Sequence, residues 1–328
     1  MNRILVTGGA GYIGSFIVRA LKTAGYEPYV VDDFSSGHEE AIVGFSFKKL
    51  NLSNDSDLLE LEEWFKKERF DGVIHMASFI QMGESFRDPY KYFRNNINSA
   101  NNILGIMARQ GAKNFVFSSS AGVYGSPKKL PISEDDPKIP ENPYGQTKLM
   151  IEEMLPWYER AHKISHVSIR YFNAAGAALD GSIGEDHPNE SHIIPLIMKA
   201  AMEGGEFTLF GDDYNTPDGT CVRDYIHVLD LADAHIKALT YLEKGGESTA
   251  VNAGLGRGYS NLELIREIEK VAGNLAWKFG PRRPGDADIL YADNKKIKEL
   301  FGWEPKYGLA EIIDSAWKWH KNNPKGYS

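Results

Sequence analysis

The sequence has almost no cysteine: Cys221 is the only one among 328 residues. A lone cysteine cannot close an internal disulfide, which excludes the small, disulfide-stapled class of secreted proteins. No run approaches the roughly 18 apolar residues that a membrane span needs. The N-terminal segment MNRILVTGGAGYIG breaks into glycines without the apolar core of a signal peptide. We therefore expect a cytoplasmic protein with no membrane partner.

Positive charge is also scarce. The chain carries 37 Lys and Arg against 45 Asp and Glu, which gives a formal net charge of −8. Such a chain is not drawn nonspecifically to nucleic acid or anionic lipid, so we expect neither as a partner. The nine His residues form no Cys/His cluster, and their one H-x-x-x-H spacing, His162 and His166, spans the predicted end of a helix; we therefore predict no metal site.

What the sequence does have is a regular alternation of strand and helix patterns over its first half. Short β-branched runs lie at 4–7, 29–31, 72–75, 114–118 and 166–170, separated by helical-period segments at 12–24, 58–67, 88–110 and 144–162. Strands separated by helices of this length imply right-handed βαβ crossovers and a parallel sheet. After about Phe172 the alternation fails, and we predict strands only at 207–210 and 223–227 and a last helix at 309–321.

The alternation predicts an α/β fold with a Rossmann-like, doubly wound parallel sheet. We place this sheet in a first domain over residues 1–172 and a smaller C-terminal lobe over residues 173–328. Some segments of the second half, at about 223–253, are expected to return to the first domain.

A glycine-rich turn follows the first predicted strand. The segment GGAGYIG at 8–14 fits G-x-G-x-x-G on Gly9, Gly11 and Gly14, and G-x-x-G-x-x-G on Gly8, Gly11 and Gly14. Glycine allows a tight turn and a close approach of the backbone to a pyrophosphate, and the helix that follows presents free N–H groups to the phosphates. The second strand ends in Asp32, where a carboxylate can bind ribose hydroxyls and repels a 2′-phosphate, so the pattern predicts NAD rather than NADP. The alternative is a structural glycine turn with a surface Asp.

A tyrosine and a lysine begin the predicted helix at 144–162. Tyr144 and Lys148 follow Asn142-Pro143, a capping residue and a first-turn proline, and their spacing of four places both on one helix face. An ammonium group stabilises a nearby phenolate. Lowering a tyrosine pKa from about 10 to about 7 requires roughly 4 kcal/mol, which Lys148 and the positive charge of an oxidised nicotinamide can supply together. We predict that the Tyr144 phenolate acts as a general base for an alcohol proton.

The spacing by itself is not specific, because Tyr-x-x-x-Lys occurs two more times. The pair at 124 and 128 contains Gly and Pro, and the pair at 291 and 295 straddles a predicted helix start, so neither is expected on one helix face. Tyr144 and Lys148 also follow a strand that ends in three serines at 118–120, where the Ser120 hydroxyl can share the substrate proton. The alternative is an exposed helical contact without chemistry.

Seven segments of the chain together resemble the extended short-chain dehydrogenase/reductase family, and within it the UDP-galactose (UDP-glucose) 4-epimerases. In chain order they are GGAGYIGS, VIHMAS, FSSSAGVYG, PYGQTK, RYFNAAGA, DGTCVRDYIHVLDLADAH and PRRPGD. Related sugar-nucleotide dehydratases carry an Asp-Glu pair shortly before Val-Tyr-Gly, where this chain has Ser-Ala-Gly. The resemblance implies an NAD-dependent, redox-neutral inversion at C4 of a UDP-hexose, from UDP-galactose to UDP-glucose, through a transient 4-keto sugar.

The resemblance also implies where each ligand binds. The first domain would bind NAD, the second lobe the UDP-sugar, and the helices at 88–110 and 144–162 would form the interface of a homodimer. Expected catalytic residues are Tyr144, Lys148 and Ser120. Expected cofactor contacts are Gly8, Gly11, Tyr12, Ile13, Gly14, Asp32, Asp33, Phe34, Ser36, Gly37, Asn51, Leu52, Met76, Ala77, Ser78, Asn95, Tyr144, Lys148 and Phe172. Expected substrate contacts are Ser120, Tyr144, Asn173, His192, Ile193, Thr208, Leu209, Phe210, Arg223, Arg283, Asp286 and Leu290.

The chain departs from the family pattern at four positions. Asn51 replaces an Asp and Ile80 a Lys near the cofactor, whereas Gly122 replaces a Thr and Leu290 a Tyr near the sugar. The last two changes enlarge the expected sugar pocket. They leave open a 4-epimerase of UDP-N-acetylhexosamine or of another UDP-sugar, such as a uronic acid or a pentose. A net dehydrogenase and a non-catalytic NAD-binding regulator are the remaining alternatives.

Overall fold

A parallel seven-stranded sheet forms the centre of the structure, a computed structural model that describes residues 2–282 and 287–327. Its strands are β1 (Arg3–Thr7), β2 (Glu27–Asp32), β3 (Ser46–Lys49), β4 (Gly72–His75), β5 (Asn114–Ser118), β6 (Ser165–Tyr171) and β11 (Thr249–Ala253). They lie in the order β3-β2-β1-β4-β5-β6-β11. The order reverses between β1 and β4, and open α/β sheets bind ligands beyond the carboxyl ends of the strands at such a reversal. The predicted Rossmann-like α/β fold is therefore confirmed.

Helices cover both faces of this sheet. They are α1 (Tyr12–Thr23), α2 (Asp55–Glu68), α3 (Met82–Arg87), α4 (Pro89–Tyr92), α5 (Asn98–Gln110), α6 (Pro143–His162) and α8 (Val228–Glu243). Successive residues of a strand point to opposite faces. Accordingly, Ile4 and Val6 of β1 join the buried cluster under α1 and α8, and Leu5 joins the one under α2, α5 and α6. Burial on both faces explains why the central strands β1, β4 and β5 carry apolar residues at consecutive positions.

The rest of the chain builds small sheets with helices packed beside them. The strands are β7 (Asn173–Ala175), β8 (Glu206–Phe210), β9 (Val222–Arg223), β10 (Tyr225–His227), β12 (Tyr259–Ser260), β13 (Ala276–Gly280) and β14 (Ile289–Leu290). They form the groups β10-β7, β12-β9-β14 and β13-β8. The helices are α7 (Ile193–Glu203), α9 (Asn261–Ala272), α10 (Lys295–Phe301) and α11 (Leu309–Asn322), and α7, α9 and α11 share a third buried cluster.

Several predicted elements need correction. The helix predicted at 88–110 begins at Pro89 and is interrupted by a π-helical turn at Phe93–Ile97 before α5 begins. The strand predicted at 223–227 is two strands, β9 and β10, which pair with different sheets. β3, α3 and α8 were not predicted. Residues 249–253, within the segment expected to return, form β11 beside β6.

Asp224 causes the break between β9 and β10. Its side chain is fully buried, and its carboxylate accepts backbone N–H groups of Leu255 at 2.6 Å, Gly256 at 3.1 Å and Ala292 at 3.1 Å. Burial raises the pKa of Asp224 to about 6, although these three hydrogen bonds lower it. One polar residue thus joins three separate chain segments, which no local pattern of the sequence reveals. Over the described residues, no helix has the length and apolar character needed to cross a membrane.

Candidate active site

The glycine-rich loop lies at the reversal of strand order, between β1 and α1. Gly8 has a positive φ of 68°, and a Cβ placed on it would lie 2.7 Å from the backbone N of Ala77 and 3.0 Å from the carbonyl carbon of Met76, just after β4. A Cβ on Gly14 would overlap the Gly8 carbonyl oxygen. Glycine at these two positions lets the loop lie against the end of β4 and lets α1 begin directly beneath it. The backbone cradle needed for a pyrophosphate is therefore present.

Asp32, at the end of β2, holds this glycine-rich loop through a hydrogen bond. Its buried carboxylate accepts the backbone N–H of Ala10 and that of Phe34, each at 2.9 Å. Burial raises the pKa of Asp32, and the two hydrogen bonds lower it. The carboxylate thus holds the glycine loop. Its contact with a ribose stays a prediction.

The residues after Asp32 form a connected polar edge. Asp33 accepts the backbone N–H of Ser35 and the side-chain amide of Asn51, each at 2.9 Å. A Cβ on Gly37 would lie 2.8 Å from the carbonyl carbon of Ala10, so this glycine also allows close packing against the loop. The structure therefore brings Asp33, Asn51 and Gly37 to the same edge as the glycine loop.

The other residues predicted to contact the cofactor lie on several elements and differ in how far they are buried. Leu52 is buried, the hydroxyl of Ser78 donates to the Phe79 carbonyl at 3.3 Å, and Asn95 lies in the π-helical turn. The Tyr12 hydroxyl donates to the carbonyl of Gly176 at 2.6 Å, which connects the start of α1 with the chain after β7. Contacts of NAD with these residues, and with Ile13 and Ser36, stay predictions.

Tyr144 and Lys148 lie side by side at the start of α6, as predicted. The helix begins as expected, because the Asn142 side chain accepts the backbone N–H of Gly145 at 2.8 Å and Pro143 occupies the first turn. Tyr144 is 7% exposed and Lys148 only 2%. The Lys148 ammonium lies 5.7 Å from the centre of the Tyr144 ring and donates to the Ser118 carbonyl at 2.8 Å. The exposed-contact alternative is therefore wrong.

The electrostatics of the pair differ from the prediction in one respect. Burial raises the pKa of the Tyr144 phenol well above its ordinary value, and a side-chain hydrogen bond with Ser120 only partly opposes this. Burial also lowers the pKa of Lys148 to about 7, although the nearby Glu152 opposes this shift. The groups of the chain alone therefore do not make Tyr144 acidic. The predicted lowering depends on the positive charge of an oxidised nicotinamide.

A buried polar network underlies the pair. Glu152, one turn after Lys148, accepts the Ser119 hydroxyl at 2.5 Å and the Arg170 guanidinium at 2.9 Å. Arg170 is 3% exposed and also donates to the Tyr124 hydroxyl at 2.8 Å. A buried arginine needs such partners, because an unpaired charge in the interior is costly. The sequence did not single out Glu152, although its spacing of four from Lys148 on the same helix was a signal.

The expected substrate residues lie on several elements of the second lobe. Asn173 begins β7, the stretch 208–210 lies in β8, and Arg223 in β9 is in register with Leu290 in β14. Leu290 and Phe172 belong to one apolar cluster beside the site. Arg283 and Asp286, which were also expected to bind substrate, lie outside the described residues.

His192 and Ile193 lie where α7 begins. The Nδ1 atom of His192 is 2.9 Å from the Oε1 atoms of both Glu185 and Glu190. Desolvation lowers the pKa of His192, but the two glutamates outweigh it and raise this pKa to about 10. The imidazole is thus held by carboxylates of its own loop, and a contact with sugar stays a prediction.

The fold and the site together define a class of protein. A glycine-rich turn after the first strand of a parallel sheet is a dinucleotide site, and the buried Tyr–Lys pair beside it is suited to proton transfer at an alcohol carbon. The chain belongs to the NAD dependent epimerase/dehydratase family, whose model matches residues 4–254. The glycine cradle fits the NAD on which that family depends.

Curated proteins and solved structures that resemble this chain include UDP-glucose 4-epimerases. The UDP-glucose 4-epimerase of Lactobacillus helveticus is 46% identical over 328 residues, which cover 99% of each chain. The crystal structure of UDP-glucose 4-epimerase from Brucella ovis in complex with NAD has a TM-score of 0.93 at 42% identity, covering 97% of this chain and 98% of that one. The enzyme from Bifidobacterium longum, in complex with NAD+ and UDP, has a TM-score of 0.93 at 37% identity, covering 99% and 100%.

Proposed function

We propose that this protein is an NAD-dependent UDP-hexose 4-epimerase that interconverts UDP-galactose and UDP-glucose. The observation that carries the proposal is the arrangement of buried Tyr144 and Lys148 with half-buried Ser120, past the carboxyl end of a strand in the sheet that also carries the glycine loop. The full-length similarity to UDP-glucose 4-epimerases, one of them in complex with NAD+ and UDP, supports the choice of substrate. The absence of the Asp-Glu pair before Val123 favours epimerisation over dehydration.

In this proposal each residue of the site has a separate task. The loop from Gly8 to Gly14, with Asp32 at its side, would hold NAD, which when bound accepts the C4 hydride of the sugar and returns it. Tyr144 takes the proton of the C4 hydroxyl, and Ser120, hydrogen-bonded to the phenol, helps to move it. The second lobe keeps hold of UDP while the 4-keto sugar turns its other face toward the site.

Lys148 supports this proton transfer electrostatically. Its ammonium is buried 5.7 Å from the Tyr144 ring, in surroundings that exclude water. An ammonium at this distance stabilises a phenolate more strongly than it would in water. Glu152 keeps Lys148 easier to protonate, since its carboxylate opposes the effect of burial on the lysine pKa.

Product analysis tests the proposed reaction. Purified protein incubated with UDP-galactose should form UDP-glucose until equilibrium, with no net consumption of NAD. Deuterium placed at C4 of the sugar should pass to the dinucleotide and return to the sugar without exchange with solvent. Tyr144→Phe should abolish turnover, and Tyr291→Phe, taken from another Tyr-x-x-x-Lys pair, should not. Failure to detect label on the dinucleotide would disprove the mechanism.

A second substrate class is left open by Leu290, which stands where the family pattern has a Tyr near the sugar. A Cβ on Gly122 would lie 3.3 Å from the Ser120 Oγ, which is tighter than an ordinary contact, so a larger residue there would crowd the proposed proton shuttle. A UDP-N-acetylhexosamine is the second candidate substrate, and uronic and pentose UDP-sugars stay open. The test compares kcat/KM for UDP-glucose and UDP-GlcNAc in wild type and in Leu290→Tyr. Narrowing the pocket should lower the ratio of kcat/KM for UDP-GlcNAc to kcat/KM for UDP-glucose. An unchanged ratio removes the support for this alternative.

We also propose a homodimer formed through the helical segment at 88–110 and α6. Tyr90 in that segment and Trp157 on α6 are 71% and 66% exposed, so each offers a large apolar side chain to a second copy of the chain. Light scattering after size exclusion should give twice the mass of the chain. Trp157→Glu should shift the protein toward monomer, whereas Leu59→Glu, at an equally exposed leucine on α2, should not.

The domain division and the cellular location are proposals as well. Residues 1–172 would bind NAD and residues 173–328 the UDP-sugar, with β11 returning to the first domain. A cytoplasmic location agrees with a chain whose single cysteine forms no internal disulfide. Cell fractionation with an antibody against the protein tests this location.

A further inference from the structure

A compact group of metal-type donors lies in the loop that precedes α7. Over the described residues, Glu185, His187, Glu190 and His192 each direct one donor atom to a common centre, and these atoms all lie within 4.8 Å of one another. The four residues form a Glu-x-His-x-x-Glu-x-His arrangement, which mixes carboxylates with imidazoles and matches neither an H-x-x-x-H nor a Cys/His pattern. The expectation of no metal site rested on those patterns alone.

We propose that these four side chains bind one Zn²⁺ ion. The Nδ1 atom of His192 is 2.9 Å from an oxygen of Glu185 and from one of Glu190, and that of His187 is 3.4 Å and 3.1 Å from the same two carboxylates. Tetrahedral zinc with bonds of about 2.0–2.2 Å keeps neighbouring donors roughly 3.3–3.6 Å apart, close to this spacing. Imidazole nitrogens and carboxylate oxygens both bind zinc, whereas Mg²⁺ and Ca²⁺ prefer oxygen alone.

The surroundings hold the donors in place before any ion binds. An oxygen of Glu190 accepts the backbone N–H groups of Ser191 and His192, each at 2.7 Å. The indole N–H of Trp319 in α11 donates to the Glu185 carbonyl at 3.0 Å. Such outer contacts orient metal ligands and raise metal affinity. The His192 side chain is 46% exposed, which leaves an entry path from solvent.

The position of the group indicates a structural role. The ring of His187 packs edge-on against Tyr12 at the start of α1, with ring centres 6.4 Å apart. The next residue after His192, Ile193, begins α7, which carries part of the proposed substrate site. A bound ion would therefore fix the substrate-side loop against the cofactor-side helix, independently of the sugar that the site accepts.

Metal binding can be measured without any assay of catalysis. The dialysed full-length protein is titrated with Zn²⁺ against a chromophoric chelator, and its thermal midpoint is recorded with and without the ion. We expect one Zn²⁺ per chain, a higher midpoint with zinc, and no competition from excess Mg²⁺ or Ca²⁺. Co²⁺ in place of zinc should give the absorption bands of a tetrahedral site.

Two variants and one matched control make the test specific. Glu185→Gln and His187→Gln each remove one donor with little change of shape, and each should weaken zinc binding at least tenfold. His38→Gln removes an imidazole that pairs with Asp186 of the same loop at 3.4 Å but lies outside the group, and it should bind zinc like wild type. Folded wild-type protein without stoichiometric binding would show that the four residues form ion pairs only. Equal binding in all variants would place the ion elsewhere and would also overturn the proposal.

Discussion

Replacing Lys148 with methionine tests the electrostatic core of the proposed mechanism. The substitution keeps an unbranched apolar side chain in the same buried space and removes the ammonium that lies 5.7 Å from the Tyr144 ring. With an effective dielectric constant of about 20, a unit charge at this distance stabilises the phenolate by about 3 kcal/mol. That energy corresponds to about two units of the tyrosine pKa and about a hundredfold in rate.

The assay is the pH dependence of kcat for UDP-galactose at saturating NAD. We expect kcat of Lys148→Met to be about a hundredfold lower at neutral pH and to recover as the pH rises. The reason is that the inflection of Tyr144 should move upward by about two units. Saturating NAD matters, because Lys148 is also an expected cofactor contact. Lys128→Met, at the exposed lysine of another Tyr-x-x-x-Lys spacing, is the matched control and should behave like wild type.

Two results would refute this reasoning. A kcat within threefold of wild type across the pH range would mean that the ammonium does not stabilise the phenolate. A loss of the same size at every pH, with the inflection unmoved, would mean that Lys148 only positions NAD or the helix. A weaker Kd for NAD accompanied by the shifted inflection would assign both tasks to the lysine.

Three further substitutions test other parts of the structure. Gly14→Ala should weaken NAD binding at least tenfold, because the added methyl group overlaps the glycine loop. A calorimetric Kd for NAD equal to that of wild type would contradict the proposal that this loop holds the pyrophosphate. Glu152→Gln should lower the free energy of unfolding by about 3 kcal/mol, since it leaves the buried Arg170 without its carboxylate. A loss under about 1 kcal/mol in urea denaturation would show that the network is dispensable. Burial lowers the pKa of His75 to about 3 from 6.5, so below pH 6.5 the unfolded chain takes up a proton that the folded chain does not. This histidine alone should therefore lower stability by about 1.4 kcal/mol per unit as the pH drops toward 3, and His75→Gln should reduce the slope measured in urea titrations by that share; an unchanged slope would rule out a contribution from this histidine.

Features carried by neighbouring residues were predictable from the sequence. The glycine turn after β1, the Asn142-Pro143 start of α6 and the spacing of Tyr144 and Lys148 each depend on a few consecutive residues whose backbone geometry is set locally. The alternation of apolar strands and amphipathic helices likewise predicted the parallel sheet, because its strands are buried on both faces. These patterns were enough to indicate the fold, the cofactor and the reacting pair.

Features that depend on distant segments were decided only by the tertiary structure. Asp224 breaks a predicted strand because three N–H groups from residues 255, 256 and 292 meet its carboxylate. Burial, which raises the pKa of Tyr144 and lowers that of Lys148, exists only once the helix packs against the sheet. The loop at 185–192 is held partly by Trp319, more than a hundred residues later, whose indole N–H donates to the Glu185 carbonyl. Local backbone geometry is determined by consecutive residues. The shifted pKa values, the burial of side chains and the meeting of distant residues arise only from contacts that form when the chain folds.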